Sequence, residues 1–191
     1  MELIYSIITG LCLCAAVGFR VFVPLLILSI GYISGWVNLP EGSAWIGSSP
    51  ALISFAAASL LEIAGYYNPW VDNMLDLVTT PLALFAGLAL MSSLVTGINP
   101  LLKWVIVILG GGGTAINIHF LSVKARALSS FVITNGLGNP IFATIELFAS
   151  VIISLLAVTV PLLSLTFIIL IVYIIRRIIK IADRKRKSLI I

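Results

Sequence analysis

From Leu3 to Gly35 the chain carries one charged side chain, Arg20, set in the stretch CLCAAVGFRVFVPLL (residues 12–26). About twenty apolar residues at 1.5 Å each cross a bilayer, so this run alone is long enough for a membrane span. Composition carries the same reading to the whole chain. Hydrophobic residues make up 61% and charged residues 9%, whereas a soluble domain has about 25% charged residues. So few charges cannot cover a soluble surface. The apolar runs are continuous, which excludes a transmembrane β-barrel with its alternation over roughly ten-residue segments. The fold class is therefore all-α, a polytopic membrane helix bundle. MELIYSIITG lacks a basic leader region, and no cleaved signal is expected.

The net charge of +4 comes from one end. RRIIKIADRKRK (176–187) holds seven of the eleven basic residues, and the rest of the chain has four basic against six acidic residues. We read residues 1–180 as one integral membrane domain and 181–191 as a basic tail. The positive-inside rule places that tail in the cytoplasm, where it would meet anionic lipid head groups. Nucleic acid is not an expected partner.

Six hydrophobic segments lie near 3–33, 50–67, 75–97, 104–134, 140–159 and 161–179. Gly, Pro, Asn and Ser mark the connections, with Trp36 and Trp45 at interfacial positions. Six spans put the N-terminus in the cytoplasm as well. Two segments, 3–33 and 104–134, would each reach about 46 Å as straight helices, beyond the about 30 Å hydrocarbon core. Each must tilt, break or re-enter. The first holds Gly18 and Pro24, and the second holds Gly110–Gly113, poor helix-interior residues. Each also carries basic charge, Arg20 in one, Lys124 and Arg126 in the other, and each is followed by a segment with a lone glutamate, Glu62 or Glu146. The order suggests halves 1–98 and 99–180 related as a 3+3 inverted repeat, an architecture that transporters use to build a midplane site.

A basic residue at the centre of a membrane helix costs roughly 2.5–3.5 kcal/mol on insertion scales, so Arg20 and Arg126 should face the bundle interior and pair with acids. The candidates are Glu62, Asp72, Asp76 and Glu146. Asp72 and Asp76 are one helical turn apart, could share a cation, and would sit at the cytoplasmic mouth. Asn68-Pro69, Asn99-Pro100 and Asn139-Pro140 read as helix starts, Asn as cap and Pro as first helical residue. Such a start at membrane depth would suit an anion. Tyr66, Tyr67 and Trp70 read as interfacial aromatics. His119 reads either as a proton relay or as a hydrogen-bonded structural residue. Cys12 and Cys14 are two apart and read as small packing residues. With one histidine in the chain, no metal site is expected. GGGGTAINIH lacks the ending of a phosphate loop, and there is no hydrolytic or zincin motif. No catalytic residue and no cofactor is expected.

AAVGFRVFVPLL, LEIAGYYNPWVDNMLD and NGLGNPIFATIE together resemble a family of small bacterial integral membrane proteins classified only as a domain of unknown function. The resemblance runs to about residue 160. It implies a bacterial inner-membrane location and a shared constellation of Arg20, Pro24, Glu62, Tyr67, Pro69, Trp70, Asp72, Asn73, Asp76, Asn139, Pro140 and Glu146. The family's late motif often continues Glu-Asp. Here Glu146 is followed by Leu147, so no carboxylate pair is carried over there.

The leading reading is a small channel or secondary transporter for an ion or small polar solute. Its path would be lined by Arg20, Glu62, Asp72, Asp76, Arg126 and Glu146. Gly18, Pro24, Tyr67, Asn68, Pro69, Trp70, Asn73, His119, Asn139 and Pro140 would support it. The alternatives are a membrane scaffold whose ion pairs only specify the fold, and a lipid-modifying membrane enzyme. A homodimer is expected, because 191 residues leave little room for a path inside one bundle.

Overall fold

The computed structural model describes residues 2–132 and 138–188. Its described residues are mostly helical and contain no strand. The helices are α1 (Glu2–Phe19), α2 (Phe22–Ile33), α3 (Ser49–Tyr66), α4 (Pro69–Leu94), α5 (Pro100–Val105), α6 (Gly113–Val132), α7 (Gly138–Thr159) and α8 (Pro161–Ser188). A π-helical stretch, Ile106–Gly112, joins α5 to α6, and a short 3-10 segment, Glu41–Gly47, precedes α3.

Among the described residues, five helical stretches are long and apolar enough to cross a membrane: Ser49–Tyr66, Met74–Leu94, Pro100–Leu128, Pro140–Thr159 and Pro161–Ile181. The first apolar run is divided between two shorter helices, α1 and α2. The polarity of the bundle is that of a membrane protein. Leu61, Leu77 and Leu101 point outward at 72%, 79% and 75% exposure, while Arg20 is 1% exposed. A chain with its leucines outside and its arginine inside is solvated by lipid.

The two long segments behave differently. The first breaks at Arg20–Val21, between α1 and α2. The second, predicted to break or re-enter at its glycines, stays helical from Pro100 to Val132, because Ile106–Gly112 widens into π-turns. The glycines serve close packing rather than interruption. A Cβ on Gly111 would lie 2.6 Å from the Gly87 carbonyl oxygen, and one on Gly87 would lie 2.7 Å from that of Gly111. Backbones of α4 and the π-stretch therefore touch, as small-residue interfaces in membranes allow.

Helix α1 is the central element and packs against α4, α6, α7 and α8. Its residues Cys12 to Phe19 are buried on every side, as an apolar helix in the middle of a bundle must be. Both thiols are free; Cys14 Sγ lies 3.3 Å from the Gly87 carbonyl and Cys12 Sγ lies 3.7 Å from that of Pro161. Gly18 marks the α1–α6 crossing, where an added Cβ would come within 2.5 Å of Ile118 Cβ.

Candidate functional site

The site begins at the break in the first apolar segment. The Arg20 amide still bonds to the Ala16 carbonyl at 3.0 Å, completing α1. The next two amides would be orphaned by the start of α2. Glu62, one turn before the end of α3, accepts both: Val21 N–H at 2.9 Å through Oε1 and Phe22 N–H at 3.2 Å through Oε2. Pro24, in the first turn of α2, has no N–H to satisfy. Glu62 is thus a helix cap supplied from another helix, with its negative charge at the positive end of the α2 dipole.

At the break, Arg20 turns inward. Its Nη2 donates to the Ala143 carbonyl at 2.8 Å and lies 3.6 Å from Glu146 Oε2. Its Nε and Nη1 have no hydrogen-bond partner among the described residues, although the side chain is buried. The second arginine is held more fully. Arg126, on α6, donates from Nη1 to Asp72 Oδ1 at 3.0 Å and from Nη2 to Asp76 Oδ1, and its Nε lies 3.5 Å from Glu146 Oε1. Ser122, one turn before Arg126, donates to Glu146 Oε1. Among the ion pairs of the described residues, Glu146 is therefore the carboxylate that faces both guanidiniums.

Both arginines also lie against one ring. The Cζ of Arg20 is 4.0 Å and that of Arg126 4.3 Å from the Tyr66 centroid, within cation–π range. The Tyr66 hydroxyl lies 3.1 Å from Asp76 Oδ1, to which it donates, and 3.0 Å from Thr79 Oγ1. Thr79 Oγ1 in turn lies 3.4 Å from His119 Nε2, and His119 Nδ1 lies 3.3 Å from the Gly18 carbonyl. A carbonyl only accepts, so Nδ1 carries a proton. This one polar centre joins α3, α4, α6 and α7 to the α1–α2 break.

The structure brings together all six charged residues read as a path: Arg20, Glu62, Asp72, Asp76, Arg126 and Glu146. Asp72 and Asp76 engage Arg126, a pairing for which they were candidate acids. One detail differs from the sequence expectation. Tyr66 is not an interfacial aromatic, being 2% exposed at the centre of the cluster. Of the supporting residues, Gly18 and His119 meet inside the bundle. Tyr67 is half exposed and bonds through its hydroxyl to Thr144 Oγ1 at 2.8 Å. The Asn68 carbonyl accepts from Val71 and Asp72 at the start of α4, and that of Pro140 accepts from the Thr144 hydroxyl in the first turn of α7. Side chains of Pro69, Trp70, Asn73 and Asn139 lie outside the described residues. Sequence reading missed Tyr66, Thr79 and Ser122 as members. Tyr66 and Ser122 each stand one turn from a charged member, Glu62 and Arg126, on the same helix face, which is the one signal the sequence offers.

These features define a class: a membrane-embedded helical bundle with a closed, charged centre at a broken helix. The family description named domain of unknown function (DUF4126) matches residues 7–180. The chain belongs to that family. Comparison with curated proteins and with solved structures gave no match.

Proposed function

We propose that the protein is a small secondary transporter for an ion or small polar solute, with Arg20 at the centre of its path. One observation carries the reading: a fully buried guanidinium with two nitrogens lacking hydrogen-bond partners among the described residues, set at a helix break inside an apolar bundle. An arginine kept only for structure gains most when all of its donors are matched, since unmatched buried donors are penalised. A site that binds and releases a solute needs unmatched donors in one of its states. Burial of Arg20, Glu62, Asp72, Arg126 and Glu146 favours a carrier in an occluded state over an open pore. We further read the basic end of α8 as cytoplasmic and lipid-facing, the location as the bacterial inner membrane, and the working unit as a homodimer.

A second reading has its own support. Arg126 faces three carboxylates and Glu62 caps α2, so the cluster ties the helices together as a scaffold would. The experiment that separates them is flux in proteoliposomes of the purified protein, with a pH-sensitive dye inside and imposed ion gradients outside. A carrier gives gradient-driven signal that Arg20→Lys reduces in a protein still monodisperse in detergent. A scaffold gives none in the wild type under any gradient.

A further inference from the structure

We propose that Arg20 is the binding group for a small monovalent anion, and that Glu146 is the proton-accepting carboxylate that alternates with this anion as the counter-ion of Arg20. This deepens the carrier reading and rests on it.

The geometry makes the two arginines unequal. Glu146 faces Arg20 from one side and Arg126 from the other. If Glu146 takes up a proton, Arg126 keeps Asp72 and Asp76. Among the described residues Arg20 then keeps the Ala143 carbonyl and the face of the Tyr66 ring. The other groups around Glu146 are Glu62 and Tyr66 on α3, Asp72 and Asp76 on α4, and Ser122 on α6. Among the described residues none of these stands within ion-pair distance of Arg20: Glu62 accepts from the Val21 and Phe22 amides, and both aspartates pair with Arg126. A buried guanidinium that loses its close ion pair is disfavoured. An arriving anion would take that place and meet the free Nε and Nη1 donors.

Charge balance then fixes the stoichiometry. One proton on Glu146 admits one monovalent anion at Arg20, so the site's net charge is the same before and after loading. The carrier would be an electroneutral proton–anion symporter.

Proteoliposomes loaded with pH dye test this. They would be exposed to inward chloride or nitrate gradients, with gluconate as the impermeant control and sodium or potassium gradients as the cation arm. The expected result is lumenal acidification driven by chloride or nitrate, unchanged when valinomycin and potassium clamp the potential. Glu146→Gln imitates the protonated carboxyl. It should lose the acidification and convert anion entry into a current that requires valinomycin. Acidification or alkalinisation that follows sodium or potassium but not the anions overturns the proposal while leaving a carrier. Undiminished anion-coupled proton uptake in Glu146→Gln also overturns it. Silence under every gradient, in a monodisperse wild-type sample, removes the carrier reading together with this one.

Discussion

At the scale of single residues, the cluster separates side chains that compensate one another from side chains that compensate the backbone. Arg126 belongs to the first kind. Arg126→Ala would leave Asp72, Asp76 and Glu146 buried without it, and breaking a buried pair by removing one partner costs about 3–5 kcal/mol. Thermal unfolding in detergent should show a large loss of Tm, greater than for any single carboxylate replaced by its amide. Glu62 belongs to the second kind. Glu62→Ala orphans two amides at about 1–3 kcal/mol each, and the effect should be local. Amide exchange at Val21 and Phe22 should accelerate well before exchange in α1 does. Uniform acceleration would show that the cap is not the role of Glu62. Much of this was legible in the sequence. Four acids and two arginines set in largely apolar segments have few partners but each other. What sequence did not reveal was the pairing, and that Glu62 serves amides rather than a guanidinium. Helix capping from a distant segment leaves no trace in local spacing.

At the scale of elements, glycine in the two long segments has two outcomes. In the first segment Pro24 and the lack of an amide there permit a real break, which Glu62 stabilises. In the second the glycines permit a π-stretch, because they let α4 come close enough to press on it. Sequence spacing alone cannot separate these outcomes, since both begin as a run of weak helix formers. Packing decides, and the packing partner, Gly87, is distant in sequence. Gly111→Ala would push its new methyl into the Gly87 backbone and should destabilise by about 1–3 kcal/mol. Gly87→Ala should act on the same contact, so the double variant should lose less than the sum of the two, read by unfolding in detergent. The Asn-Pro signal, by contrast, was fully local and read correctly at Asn99. Its side chain accepts from the Leu101 amide at 2.9 Å with Pro100 behind it. Asn99→Ala should remove about 1 kcal/mol without disturbing the charged centre.

At the scale of the whole molecule, the ion pairs are reciprocal. Arg20, in residues 1–98, is faced by Glu146 from the later part, and Arg126, in 99–180, is faced by Asp72 and Asp76 from the earlier part as well as by Glu146 from its own. Neither part alone can neutralise its own arginine as the full chain does. Expressed separately, fragments 1–98 and 99–191 should each be degraded; expressed together, both should persist in the membrane and co-purify. Persistence of either one alone would show that the reciprocal pairs do not hold the molecule together. The same reciprocity sets an order during synthesis. Arg126 is made after Asp72 and Asp76 and finds both waiting. Arg20 is made long before Ala143 and Glu146, with 123 residues separating it from the carbonyl it bonds. At about 5–20 residues per second, the nascent chain must hold an unpaired arginine for several seconds or more. Insertion of the first segment is thus the vulnerable moment in the life of this protein, and the step at which assistance from the insertion machinery would matter most.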